Sequence, residues 1–197
     1  MDNSAIDWRD HPVVYRINAA DVIVYVNDAW RDFARHNGDA DLADRAIGQS
    51  LWALITDPTL VRLYRDLVAA VRQSRRVLSF SYRCDSPDEK RELVMTIRPL
   101  LDEVEFENRF VAIEPQSPRA FFDRFVRGDR QAVSICSICQ KLAADDHWLD
   151  PIEAFHSGAV HLDDTPLVLS PTVCPACEGD LEALAGGAVG PKLPRHP

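Results

Sequence analysis

Four of the five cysteines in this chain of 197 residues fall in two pairs, Cys136 with Cys139 in "CSIC" and Cys174 with Cys177 in "CPAC". A Cys-x-x-Cys turn aims two thiolates at one point. Two such turns complete the soft tetrahedral shell that a divalent metal such as zinc prefers. Pro175 stiffens the second turn. Four protein ligands leave no position for water or substrate, so the metal expected here, Zn²⁺, is structural. Four thiolates on Zn²⁺ leave about two negative charges, which a nearby cation or backbone N–H groups must offset. The same thiols admit two other chemistries. One is a redox switch, in which oxidation ejects the metal and forms disulfides. The other is an iron–sulfur centre. His147, His156 and His161 lie between the pairs and read as surface or packing residues while four cysteines are available. Cys84, at a strand end before a turn, reads as a buried structural thiol.

The 34 residues between the pairs exceed the usual spacing of roughly 15–20, so the insert must form a structure of its own. Asp150 followed by Pro151 and Glu153 starts a short helix. Leu167–Ser170 alternates as a strand leading back to the second pair. A module this small builds little core. Zinc, at about 10–16 kcal/mol of apparent binding energy in small fingers, would settle its stability. Gly179 is expected to relieve the backbone just after the second turn.

Upstream, the hydrophobic pattern predicts the elements that must carry this module. Val13–Ile17 and Val22–Val26 are β-branched and aromatic runs split by "NAAD", a hairpin signal. Asn27 caps a helix that Gly38 ends, and an acidic loop follows. Asp57 and Pro58 open the clearest helix, with Leu60, Leu63, Tyr64, Leu67 and Val71 on one stripe. Three alternating strands follow, through Pro115. Residues 119–128 read as a short amphipathic helix. The expected fold class is α+β: a five-stranded antiparallel sheet with helices on one face at 13–115, a connecting helix at 116–130, a small four-cysteine metal-binding module at 131–184, and a disordered tail at 185–197.

The stretch "YRINAADVIVYVNDAW" resembles the opening of a PAS domain, where a hairpin leads into a helix through an Asn. A longer resemblance runs through "GQSLWALITDPTLVRLYRDLVAAVR", "YRCDSPDEKRELVMTIRPL", the first cysteine pair, a Trp with an acidic helix, and "CPAC". It is similar to a family of bacterial PAS-like proteins with a C-terminal four-cysteine, zinc-ribbon-like module. That resemblance implies a PAS-like sensor domain in a signalling context. It supplies no ligand and no reaction. The chain departs from the family at Ile138, where an aromatic is frequent. It departs again at Ser170–Val173, where His-Gly often precedes the second pair. Neither departure touches a thiol.

PAS domains often hold a small molecule between sheet and helices. Haem would need an axial ligand, and residues 59–74 contain no His. A flavin adduct would need a Cys, and residues 27–74 contain none. Neither cofactor is expected. Trp52 and Tyr64 are candidates to line a cavity, against the plainer reading that they are core. Arg83 and Arg91 flank the "DSPDEK" turn as candidate cross-strand partners gripping an anion, against the plainer reading of a solvated hairpin tip.

The net charge of −9 argues against nucleic-acid binding. No window reaches the roughly 20 apolar residues of a membrane span. The acidic N-terminus lacks an apolar run, so it is not a signal peptide. The chain reads as cytoplasmic, where paired cysteines point to metal or redox chemistry. Residues 59–83 hold six arginines against one aspartate, a surface for an acidic partner or for the chain's own acidic segments. No nucleophile–base pair or glycine-rich phosphate loop stands out. The chain therefore reads as a non-enzymatic sensor or adaptor with a protein or small-molecule partner, and the PAS resemblance admits a homodimer. A thiol-redox sensor and an unrecognised enzyme are the alternatives.

Overall fold

The computed structural model of the protein describes residues 7–116, 125–127, 133–160 and 167–187. Two sheets carry the chain. The first is built from β1 (Val13–Ile17), β2 (Ile23–Val26), β3 (Leu78–Arg83), β4 (Glu89–Leu100) and β5 (Glu103–Pro115). Its order is β2-β1-β5-β4-β3, and every pairing is antiparallel. Between β2 and β3 run α1 (Asp28–His36), α2 (Leu42–Ala46), a 3-10 turn (Leu51–Ala53) and α3 (Pro58–Ser74). The fold class is therefore the expected α+β sheet with packed helices.

Local chemistry explains the elements. Asn18 Oδ1 accepts from the backbone N–H groups of Ala20 and Val22, closing the first hairpin. Asn27 Oδ1 accepts from Trp30 N at 2.9 Å and Val14 N at 3.1 Å, so one side chain caps α1 and ties it to β1. Asp57 Oδ1 accepts from Thr59 N at 2.9 Å and caps α3. The stripe of α3 packs inward: Leu63, Leu67, Val68 and Val71 are fully buried against Phe80, Met95, Ile97 and Phe106. The opposite face of the sheet is polar, with Arg16, Arg98, Glu105 and Glu107 paired across β1, β5 and β4. That alternation is what a one-sided antiparallel sheet requires. The acidic segment after α1, read as loop, contains α2.

The second sheet comprises β6 (Phe125–Arg127), β7 (Val133–Cys136), β8 (Leu142–Ala144), β9 (His147–Leu149) and β10 (Leu167–Thr172). Its order is β6-β10-β7-β8-β9. β10 runs parallel to β6 and β7, while β8 and β9 pair antiparallel. Two helices complete the module, α4 (Pro151–His156) and α5 (Pro175–Ala185). Asp150 caps α4 and β10 contains the expected return strand. The connecting helix expected at 116–130 is not seen at Phe125–Arg127, which is β6; residues 117–124 and 128–130 lie outside the described residues. Three residues drawn into a parallel ladder are a tertiary effect that no helical periodicity reveals. Of the tail expected at 185–197, residues 188–197 also lie outside the described residues. Among the described residues no helix is long and apolar enough to cross a membrane.

Leu67 sits at the centre of the stripe with no exposure. Leu67→Ala is expected to cost about 2–5 kcal/mol, read as a lowered urea midpoint with an unchanged m-value.

Candidate metal centre

The four cysteines converge. Cys136 ends β7, and Cys139 closes the turn behind it, where Gln140 N–H returns to Cys136 O at 2.9 Å. Gln140 then leaves the turn at φ 61°. Cys174 is the N-cap of α5, Pro175 its first helical residue, and Cys177 lies in its first turn. The two halves are stitched together by Ser137 N–H donating to Thr172 O at 2.7 Å. All four Sγ atoms lie within 4.8 Å of one another, and Cys139 and Cys174 are 3.9 Å apart. A tetrahedron of Zn–S bonds near 2.3 Å has edges of about 3.8 Å, so the donor set fits that ion. Gly179 is interior to α5, where no backbone relief is needed.

The surroundings suit concentrated negative charge. Backbone N–H groups of Ile138 and Cys174 point at Cys136 Sγ at 3.5 and 3.3 Å, and that of Cys177 at Cys174 Sγ at 3.5 Å. The N-terminus of α5 adds its dipole. Hydrogen bonding, first from Cys139, drives the Cys136 thiol far down, while hydrogen bonds to Cys136 push Cys139 and Cys177 up. Ligation would replace this sharing of protons with four equivalent thiolates. Exposure runs from 0% at Cys136 to 9% at Cys139 and Cys177. Ile138, where the resembled family often has an aromatic, is buried in the same core.

Arg83 joins the centre to the first sheet. Its backbone N–H donates to Ile138 O at 2.8 Å, and its guanidinium reaches Cys139 O at 3.4 Å and Asp150 Oδ2 at 3.1 Å. It also pairs with Asp85. Arg83 is only 4% exposed. Burial opposes its charge, but Asp85 and then Asp150 more than offset that and hold its pKa up. Burial pushes the Asp85 carboxyl above its usual range, against the pull of Arg83. On the surface, Arg62 of α3 pairs with Glu178 and Glu182 of α5. The basic segment thus meets the chain's own acidic helix.

The other sequence candidates separate. Arg91 turns to Glu89 and Asn37 and lies over the Trp8 ring. Arg83 faces Glu92 in the ladder, so the two arginines are not cross-strand partners. Trp52 Nε1 donates to Asp21 Oδ2 at 2.7 Å, and Tyr64 is core, edge-on to Phe80 and stacked on Phe106. Neither borders the cavity of about 490 Å³ between the first sheet and the module. That cavity is walled by Ile55, Asp57 and Tyr82 on one side and Ile135, Ser137 and Pro171 on the other. Cys84, expected to be buried, is half-buried on its wall. His147 and His156 are exposed; His161 lies outside the described residues. Sequence reasoning missed Asp150 as a partner of Arg83, because the two are 67 positions apart.

No family model matches the chain, and no curated protein matches it. Among solved structures, the chain is similar to the PAS domain of the quorum-sensing receptor RpfR from Cronobacter turicensis in complex with BDSF. The two share 12% identity over 52% of this chain and 95% of that one, with a TM-score of 0.35. It is similar to the photoactive yellow protein domain of the sensor histidine kinase Ppr from Rhodospirillum centenum, at 15% identity over 55% and 99%, TM-score 0.37. A domain of an HTR-like protein from Haloarcula marismortui shows 16% identity over 51% and 98%, TM-score 0.34.

Arg83→Met would leave Asp85 buried without its cation and is expected to cost about 3–5 kcal/mol. Arg62→Ala, among exposed side chains, is expected to leave stability nearly unchanged. Urea titrations of both variants check the contrast.

Proposed function

We propose that the chain is a cytoplasmic, non-catalytic sensor or adaptor of a signalling system. A PAS-like domain binds a protein partner or a small molecule. A structural zinc held by Cys136, Cys139, Cys174 and Cys177 shapes the C-terminal module into a docking surface. The observation that carries this reading is the shared core. The four cysteines belong to one apolar cluster with Leu63, Leu67, Phe80 and Phe106 of the first domain. A change at the metal or in the sheet is therefore felt by the other, because close-packed interiors transmit strain. The PAS-like reading is supported by the sheet, the helical crossover and the hairpin that enters α1 through Asn27.

The low exposure of the four cysteines, at most 9%, favours a structural role over the redox alternative, since oxidation needs exposure. The test is elemental analysis with thiol titration of purified protein, before and after mild peroxide and after chelation. One zinc per chain, retained through peroxide, is expected. Chelation is expected to raise hydrogen exchange in β7 and α5 and also in β3 and α3. Zinc lost to peroxide with disulfides gained would replace this reading with the redox sensor. Iron in place of zinc, or chelation that leaves β3 and α3 unmoved, would overturn it. Acid is expected to release the metal, because protons compete for the thiolates.

A further inference from the structure

The cavity of about 490 Å³ between the first sheet and the module has the volume of a small-molecule site. Leu54, Thr56 and Pro87 on its wall are exposed and mark the mouth, while Arg83, Pro151 and Leu169 are buried and mark the floor. Both sides mix polar with apolar residues. The first domain supplies Leu60 beside Thr56 and Gln116, and the module supplies Ile135 beside Ser137 and Gln140.

The charge on this wall is already engaged. Among the described residues, the acidic and basic members of the lining are Asp57, Arg83 and Asp85. Arg83 pairs with Asp85 and with Asp150, and Asp85 also accepts from Arg91 N at 3.1 Å. Asp57 caps α3 through Oδ1, and its Oδ2 is buried away from any opening. An ion entering the cavity would surrender hydration and find no unengaged opposite charge to replace it.

Uncharged polar groups remain. The side chains of Thr56 and Ser137 make no hydrogen bond among the described residues. Gln116 and Gln140 are each held by one amide N–H, which donates to Ser86 O at 2.9 Å and to Cys136 O at 3.3 Å. A wholly apolar molecule would strip water from such groups and return no hydrogen bond.

We propose that this cavity binds an uncharged small molecule of mixed polarity: a carboxamide or alcohol on a small apolar body. The molecule lies in the seam and meets both units. The assignment stands on this charge accounting and does not require the signalling reading.

The test uses the full chain as purified and probes on one frame: 3-phenylpropanamide, 3-phenylpropanoate, 3-phenylpropylamine and propylbenzene. Calorimetry ranks their affinities, and ¹H–¹⁵N shifts give the place. The amide is expected to bind at least about tenfold tighter than either ion, and about threefold or more tighter than propylbenzene. Its shifts should fall on both sides of the seam, at residues 54–60 and 135–140. Thr56 is exposed, so substitutions there spare the core. Thr56→Trp narrows the mouth and should weaken the amide at least about tenfold. Thr56→Lys supplies a cation and should strengthen the carboxylate about threefold relative to the amide, the worth of an exposed pair. The proposal fails if no probe binds, if an ion or propylbenzene binds as tightly as the amide, or if the shifts touch one side only. It fails equally if T56W binds the amide unchanged or T56K leaves the carboxylate as weak against the amide as before.

Discussion

The structure depends on four sulfur atoms being brought to one point by two segments far apart in the chain. Cys139 and Cys174 stand 35 positions apart, yet their sulfurs are 3.9 Å from each other. Among the described residues, the module's separate cluster of buried side chains is Leu142, Ala154, Val160 and Leu169. The leucines and the valine contribute about 1.5–3 kcal/mol each on burial and the alanine less, while ordering each residue of backbone costs about 1–2 kcal/mol. Such a core does not hold its own strands. What remains is the docking of Ile138, Val173, Leu181 and Leu184 into the first domain's core, and the convergence of the four cysteines, where a metal would fix the turns presenting them.

Arg83 is the second constraint, and it is electrostatic. Burying a guanidinium beside two carboxylates adds little net stability over an apolar contact. Its geometry does more. The backbone of Arg83 donates to the first cysteine turn, while its side chain reaches Asp150 at the cap of α4. A residue at the end of β3 therefore defines where the module sits and how it is turned. The exposed Arg62 pairs between α3 and α5 repeat that orientation at the surface, where screening keeps them weak.

Much of this was legible where the chemistry is local. Asn27 and Asp57 cap as their types and neighbours imply, and the α3 stripe buries the residues its period selects. The cysteine spacing pointed to one centre, and the sulfurs do meet. Legibility fails where strands are short. β8 and β9 have three residues each, too few for alternation to declare itself, and β6 and β10 acquire their pairing from a parallel register that no hairpin signal marks. Arg83 and Arg91 looked like a pair because strand neighbours usually are. Arg83 stands opposite Glu92, one position from Arg91, and neighbouring residues of a strand face opposite sides, so the two arginines go to different partners.

The closed centre and the open seam differ in what they can admit. A site with four protein ligands cannot also take a signal, since nothing can enter its shell without displacing a sulfur. The cavity beside it, about 490 Å³, has the volume of a small-molecule site. Of its module-side walls, Ile135, Ser137 and Pro171 lie within one to three residues of Cys136 or Cys174, while Pro151 and Leu169 lie farther along the chain. Its other walls belong to the crossover, to the end of β3 with the turn that follows it, and to Gln116 after β5. A molecule seated there gains contacts only while the two units are docked, so its affinity and the stability of docking are linked. By reciprocity, whatever factor a metal at the four cysteines would add to the binding of such a molecule, the molecule would add to retention of the metal. A metal at the four cysteines would hold the module-side wall of the seam in place.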